Sequence, residues 1–479
     1  MSPVRNKARA GQHDFVVVAS RLPVDRDEGP DGEASWRPSP GGLVTALEPV
    51  MREAGGVWVG WSGDAESAPG AFEANGLDLV AVGLSAEQVR DYYEGFCNAT
   101  LWPLYHDVIA RPQFERRWFE AYVAVNRSFA VAAATEAAPG ATVWVHDYQL
   151  QLVPRMLREQ RADVRIGFFN HIPFPCCEIF AQLPWRRQVI EGLLGADLLG
   201  FQSRTDAANF LRACRRAAGL PTKGHAIRVR DTDGMREVQA AAFPISIDSA
   251  ALEVIARRDE VRKRASDIRL ALGQPDVLLL GIDRLDYTKG ILHRLNAYGE
   301  LLDEGRLGPQ AVLVQVASPS RERVGAYRVL RDEVEQAVSR INGEYAEVGS
   351  APVHYLHQAY PREEMAALYL AADVMLVTSL RDGMNLVAKE YVACRYDESG
   401  ALVLSEFTGA ADELGGAFLV NPHDIDGLKD AIVRAATISP AEARRRMRLM
   451  RRRVREHDVA YWARTFLGTL ADERVSVRF

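Results

Sequence analysis

Apolar residues in this chain fall in short unbroken runs rather than in alternating ones. In the first half the runs are DFVVVAS (14–20), GVWVGWS (56–62), TVWVHDY (142–148), RIGFFNH (165–171) and DLLGFQS (197–203). In the second half they are VLLLGIDRL (277–285), AVLVQVAS (311–318), VHYLHQ (353–358), VMLVTSL (374–380), ALVLSEF (401–407) and AFLVNP (417–422). Successive apolar positions mark strands covered on both faces, the pattern of a parallel sheet between helices. Strand–helix alternation in two blocks predicts an α/β protein of two doubly wound domains. The boundary is expected near FPISIDSAA (243–251), where an apolar strand runs through Pro244 into a helix starting around Ser249. The segment ARRRMRLMRRRVREHD (443–458) holds eight arginines. It reads as a helix with a solvated basic face and Met447, Leu449, Met450 and Val454 turned partly inward, rather than as a nucleic-acid patch. AYWARTFLGTL (460–470) is apolar enough to dock as a final helix.

Length and composition narrow this picture. A chain of 479 residues is long for one core and suits two large domains. It is 48% hydrophobic and 25% charged, with net charge −6, so nothing suggests a nucleic-acid binder. No apolar run approaches the roughly 18 residues of a membrane span. The opening MSPVRNKARAGQHD lacks an apolar signal core and reads as a lead-in. Five cysteines (Cys97, Cys176, Cys177, Cys214, Cys394) lack metal-ligand spacing and predict free thiols in the cytoplasm.

Ligands of doubly wound sheets sit outside the carboxyl ends of the strands, which directs attention to the residues that follow each run. Arg284 and Lys289 follow the run in VLLLGIDRLDYTKG. Two cations at a sheet mouth suit a diphosphate, unless they only pair with Asp283 or Asp286. In SLRDGMNLVAKEYVA (379–393) Gly383 allows a tight turn, and Met384-Asn385-Leu386 opens a helix without an evident cap. The amides of Met384, Asn385 and Leu386 could meet an anion or sugar hydroxyls there. Asp382 before them and Glu390 on the helix read as hydroxyl acceptors, the latter for a ribose diol; the plain alternatives are an N-cap and a helix acid paired with a cation. In the first half Arg21 follows the first run, and Gly41-Gly42 opens a helix where amides could approach phosphate. Asp147 and His171 follow two further runs, and Arg321 follows one in the second half. Trp61, Tyr93 and Trp102 could stack on a pyranose ring, or for the tryptophans simply fill the core.

The stretches SRLPV, SPGGLVTAL, GWSG, YYEGFCNATLWPLYH, VHDYQLQLVP, GFFNHIPFP, RLDYTKG, SPSRERV, INGEYAEVG, LRDGMNLVAKEYVA and LVLSEFTGAADELGGAFLVNP resemble the trehalose-6-phosphate synthases, glycosyltransferase family 20, collinearly from about residue 14 to 470. The resemblance implies the GT-B architecture, two Rossmann-like domains facing across a cleft. It would place an acceptor domain at 1–247, a donor domain at 248–455 and a returning helix at 456–479. It implies a retaining transfer of glucose from a nucleoside diphosphate glucose, with UDP-glucose the default and GDP- or ADP-glucose open, to glucose 6-phosphate. No cofactor, metal, nucleic-acid or membrane partner is implied, and homo-oligomerisation is left open.

Carried over by residue, the resemblance assigns the acceptor phosphate to Arg21, Arg321 and Tyr93, and the acceptor glucose to Trp61, Trp102 and Asp147. Gly42 would touch the donor phosphate and His171 the donor glucose. Arg284 and Lys289 would hold the diphosphate. Asp382 and the Met384–Leu386 backbone would hold the transferred sugar and phosphate, and Glu390 the ribose. Arg284, Lys289, Asp147 and His171 are the catalytic candidates. Departures from the family pattern are Ser20, Asn170 and Cys176–Cys177, none of which removes a functional group. Asp231-Thr232-Asp233, in a polar, loop-like stretch, resembles neither a metal-binding D-x-D at a strand end nor a phosphatase motif. A non-catalytic sugar sensor would have lost donor residues that remain here, and a pseudoglycosyltransferase coupling cyclitols is disfavoured by the intact acceptor set.

Overall fold

The computed structural model describes residues 13–28, 34–39, 42–65, 69–231, 234–308 and 310–471. Most of the expected lead-in, Gly41 and the pair Thr232–Asp233 therefore lie outside the described residues. The chain divides into two units, Met1–Ile245 with Ala460–Phe479, and Ser246–Val459.

Each predicted apolar run contains a strand, and both units are α/β, as expected. In the first unit the parallel strands lie in the order Gly234–Ala242, Leu198–Phe201, Arg165–Phe169, Ala137–His146, His13–Arg21, Val57–Trp61 and Leu77–Ala81. Antiparallel strands that the apolar pattern does not reveal extend both edges: Ala71–Ala74 on one, Ala226–Asp231 and then Thr222–Lys223 on the other. Asp231 thus ends a hairpin strand rather than sitting in a loop, and its carboxylate takes Arg155 (3.3 Å) and Arg236 (3.4 Å). In the second unit six parallel strands run Val353–Leu356, Ala311–Ser318, Val277–Arg284, Val374–Val377, Ala401–Ser405, Phe418–Val420. Near-total burial of the inner strands explains their unbroken apolar sequences.

Each sheet has one switch point. In the first, the chain leaves His13–Arg21 toward Val57–Trp61 and Leu77–Ala81, then returns to Ala137–His146 on the other side. In the second it leaves Val277–Arg284 toward Ala311–Ser318 and Val353–Leu356, then returns to Val374–Val377. Where the connections diverge, a crevice opens beyond the strand ends. The residues there are Arg21 and Asp147 in one unit, and Arg284 and the turn leading to Asp382 in the other.

Two expectations need correction. The strand before the unit boundary stops at Ala242, short of Pro244, which has no N–H for a ladder. The helix does begin at Ser249, where the Asp248 carboxylate accepts the Ala251 amide at 2.9 Å. In the arginine-rich helix Pro440–Glu456, Ala443, Met447, Met450 and Val454 form the buried stripe at helical spacing. Leu449 lies off that stripe and is 45% exposed, while Arg451 is buried instead, its Nη2 2.8 Å from Glu253.

The final helix, Val459–Ala471, lays Trp462, Phe466 and Leu470 on the first unit's sheet. Phe466 is fully buried, stacked on Trp144 at 4.7 Å and seated over Gly167 and Gly200. Phe466→Ala empties that seat and should cost about 3–5 kcal/mol. Urea denaturation should show the loss in the first unit's transition, with the second unit's transition unmoved.

Candidate active site

At the first switch point Arg21 closes its strand beside Trp61, with its guanidinium carbon 5.1 Å from the indole centroid and Nη2 3.4 Å from Asp25 Oδ1. The Trp61 ring is buried and pinned by its N–H, which donates to the Asp64 carbonyl at 2.9 Å. Tyr93 meets Trp61 edge-on at 5.7 Å. Tyr93 sits on Val89–Leu101, a π-helix. This rare geometry recurs at functional sites, and sequence reasoning missed it. Trp102 opens the next helix, 4% exposed, packed on His106 at 4.2 Å and Tyr148 at 5.6 Å. Gly42 is the first residue of the helix Gly42–Ala54, and the two residues just before it lie outside the described residues.

Asp147 follows its strand with φ 75° and ψ 168°, a conformation uncommon for a residue with a side chain. Its carboxylate accepts the backbone N–H of His171 at 3.0 Å, and its own amide donates to the Phe169 carbonyl at 2.8 Å. Asp147 and His171, from adjacent strands, are thereby locked together. His171 Nε2 lies 3.0 Å from Nδ1 of His146, a residue sequence reasoning passed over although it directly precedes Asp147. Burial pulls the His171 imidazole down to about 3. Burial, then the neighbouring His171, holds His146 well below its ordinary value.

The second switch point is dense with charge. Arg284 ends its strand in an exposed position. Asp286 caps the short turn Tyr287–Lys289 by accepting the Thr288 amide at 3.0 Å. That turn delivers Lys289 to Asp382, Nζ to Oδ2 2.5 Å. Asp283 and Asp286 do not take Lys289. Arg294 pairs with Asp283 at 2.9 Å, and Arg321 with Asp286 at 2.9 Å. Burial would raise the fully buried Asp286, but Arg321, then Arg284 and Lys289, hold its carboxyl below the ordinary range. Arg321 itself has φ 48° and lies against Tyr327, whose hydroxyl also donates to Asp286 at 3.1 Å.

Asp382 is not the N-cap of the following helix, Leu386–Cys394. Asn385 is, in a left-handed conformation (φ 82°), with its side-chain oxygen accepting the Ala388 amide at 3.0 Å. The helix start that looks uncapped is therefore capped from within. Asn385 also donates to Asp382 at 3.2 Å, and Ser379 does so at 3.3 Å. The Met384 carbonyl accepts the Ala410 amide at 2.8 Å, tying the turn to the next strand's loop. Glu390 accepts the Tyr369 hydroxyl at 2.8 Å, and burial lifts its carboxyl above the ordinary range. The second unit thus gathers Arg284, Lys289, Asp382 and the Met384–Leu386 backbone at one strand-end crevice, and the first unit gathers Arg21, Trp61 and Tyr93, and Asp147 with His171, at the other.

Residues 13–472 match the model of glycosyltransferase family 20. A trehalose-6-phosphate synthase from Mycobacterium sp. (strain JLS) is 58% identical over 471 residues, covering 97% of this chain and 98% of that protein. The crystal structure of a UDP-forming alpha,alpha-trehalose-phosphate synthase from Burkholderia xenovorans in complex with glucose-6-phosphate is 35% identical with a TM-score of 0.87, covering 96% of this chain and 100% of that one. A structure described as trehalose-6-phosphate from E. coli bound with UDP-2-fluoro glucose is 33% identical with a TM-score of 0.86, covering 97% and 100%.

The buried imidazoles yield a pH prediction. A histidine whose folded pKa lies below its unfolded value, about 6.5, binds fewer protons folded than unfolded. Its contribution to stability is full above about pH 6.5 and is lost as pH falls toward the folded value. His171 should therefore remain neutral to about pH 4. Titration of ¹⁵N-labelled imidazoles checks this, and a His171 midpoint near the ordinary value is the contrary result.

Proposed function

The chain belongs to glycosyltransferase family 20, and from that premise we propose that it transfers glucose from a nucleoside diphosphate glucose to glucose 6-phosphate with retention, making α,α-trehalose 6-phosphate. The observation that carries this reading is the Lys289–Asp382 pair at the second switch point, 2.5 Å apart and 12% and 14% exposed, with Arg284 at the end of the strand that leads into the Lys289 turn. A cation held by a carboxylate is a preformed diphosphate receptor: the ligand's oxygens replace Asp382 on Lys289, and Asp382 turns to the sugar hydroxyls. In this reading the Met384–Leu386 backbone completes the donor cradle, Glu390 receives the ribose diol, Gly42 approaches the donor phosphate and His171 the donor glucose. Arg21, Arg321 and Tyr93 take the acceptor phosphate, and Trp61, Trp102 and Asp147 its glucose.

The chemistry follows from where charge builds. As the anomeric C–O bond breaks, negative charge grows on the leaving diphosphate, and Arg284 and Lys289 stabilise it more than they stabilise the ground state. The acceptor hydroxyl attacks from the leaving-group side and gives its proton to the departing phosphate oxygen, which keeps the anomeric configuration. Asp147 is committed to the His171 amide, and Asp382, once released by Lys289, is still held by Ser379 and Asn385. That supports hydroxyl-binding roles for both acids rather than attack on carbon, the role a double displacement needs. The two cations supply the charge that a divalent metal would otherwise supply. UDP is the default nucleotide, in keeping with the UDP-forming relatives. Five free cysteines suit a reducing, cytoplasmic setting, and among the described residues no helix is long and apolar enough to cross a membrane.

Supplying UDP-, GDP- and ADP-glucose with glucose 6-phosphate and comparing kcat/KM tests the assignment. Trehalose 6-phosphate should form, fastest from UDP-glucose; preference for a donor other than a glucose nucleotide would sink it. Arg321→Ala should raise KM for glucose 6-phosphate about ten- to a hundredfold, one charge-assisted contact of about 1.5–3 kcal/mol. Use of plain glucose should barely change. Because the substitution also strands the buried Asp286, the double variant Arg321→Ala, Asp286→Asn is the fair comparison. Equal losses for both acceptors would show that Arg321 does not read the phosphate.

A further inference from the structure

The His146–His171 pair has only one stable way to share its proton. The two rings meet through His146 Nδ1 and His171 Nε2, 3.0 Å apart. Burial keeps both neutral, so one nitrogen must donate and the other accept. The far side of His146 decides which. His146 is fully buried beside Trp144, 4.6 Å between ring centroids, and Trp462, 6.4 Å. Among the described residues no hydrogen-bond partner reaches its Nε2. A buried N–H without an acceptor is rarer, and an unmet acceptor better tolerated, and a contact of N–H with an indole face is a weak substitute. His146 Nε2 is therefore the bare nitrogen. Its proton sits on Nδ1 and points at His171.

We infer that His146 is a positioning residue that fixes His171 as the Nδ1–H tautomer, so that His171 presents a hydrogen-bond donor, not an acceptor, to its ligand. The Nε2 side of His171 is closed by His146, and its backbone N–H is held by Asp147 at 3.0 Å, so both the ring's rotation and its proton are set. A neutral imidazole N–H reads an oxygen of a sugar without adding charge to a site whose leaving group is already anionic. The role of His171 toward donor glucose rests on the function proposed above; the tautomer does not.

Two measurements separate these layers. In the wild-type enzyme with ¹⁵N-labelled histidine, long-range ¹H–¹⁵N correlation at neutral pH should show His171 protonated at Nδ1 and bare at Nε2, and His146 the same. Protonation of His171 at Nε2 would overturn the inference without any variant. His146→Phe keeps a flat ring but removes the donor. It should leave His171 a mixture of tautomers and lower kcat/KM for the sugar nucleotide about tenfold, one hydrogen bond's worth, with KM for glucose 6-phosphate little changed. His146→Gln, whose amide can still donate, should recover most of the loss. A folded His146→Phe protein with His171 still purely Nδ1–H would also overturn the inference. If the wild type proved unable to use any nucleoside diphosphate glucose, the function would fall while the spectrum still decided the tautomer.

Discussion

The second unit is organised around Arg294, a fully buried cation on the helix that follows the Lys289 turn. Its guanidinium reaches Asp283 at 2.9 Å, Gln315 at 2.7 Å and Thr378 at 3.0 Å. Those three groups come from three neighbouring strands or strand ends, so one side chain ties the switch point together on the side where ligands bind. Burying that charge is expensive, and removing one partner of such a pair costs about 3–5 kcal/mol. Room for it exists only because residue 281 is glycine: a Cβ there would lie 1.9 Å from Arg294 Nη1. Gly290, one residue past Lys289, is under a similar constraint, with φ 62° and the Thr378 carbonyl 2.1 Å from where a Cβ would be. The turn that carries Lys289 can press against the strand end carrying Thr378 only through that glycine.

From this frame the charges at the strand ends pair off by proximity. Asp283 is spent on Arg294 and Asp286 on Arg321, which leaves Lys289 to Asp382, while Arg284 adds its charge to the field on Asp286. The distinction matters energetically. A pair as deeply shielded as Arg321–Asp286, 6% and 0% exposed, is costly to break because each partner would be stranded in a poorly solvated site. The Lys289–Asp382 pair retains some exposure on both partners, 12% and 14%. An incoming anion can compensate Lys289 as Asp382 lets go, so exchange costs less there.

Much of this was legible in the sequence, and what was not has identifiable causes. Doubly buried parallel strands advertise themselves as unbroken apolar runs, so most inner strands were readable, although Leu77–Ala81 and Gly234–Ala242 fell outside the runs and Ala137–His146 begins five residues ahead of its run. The edge strands Ala71–Ala74 and Thr222–Lys223 were not, because they are short, half-exposed and lack that signature. Arg284, Lys289, Asp382 and Asp147 do lie at or shortly past strand ends, as the runs implied. Their partners were harder. Arg294 lies mid-helix among ordinary residues, and only the glycine at 281 hints that something large must fit there. Asn385 sits where a helix start looked uncapped; its left-handed backbone and self-capping are tertiary outcomes that an asparagine permits but does not announce. The π-helix at Val89–Leu101 has no compositional mark, since one extra residue per turn changes spacing, not residue type.

The two switch points share a topology and differ in electrostatics, and the difference follows from what each must bind. In the function proposed above, the second unit would face a leaving group that gains negative charge, and it offers Lys289 in carboxylate-paired storage. The first holds its two central imidazoles neutral through desolvation, and keeps Arg21 at the rim over an indole face. Asp147 stays a fixed acceptor for the His171 amide at its strained φ of 75°. The burial that creates that neutrality comes in part from Trp462 on the last helix, whose packing on the first sheet thus sets the electrostatics of the site as well as the stability of the unit.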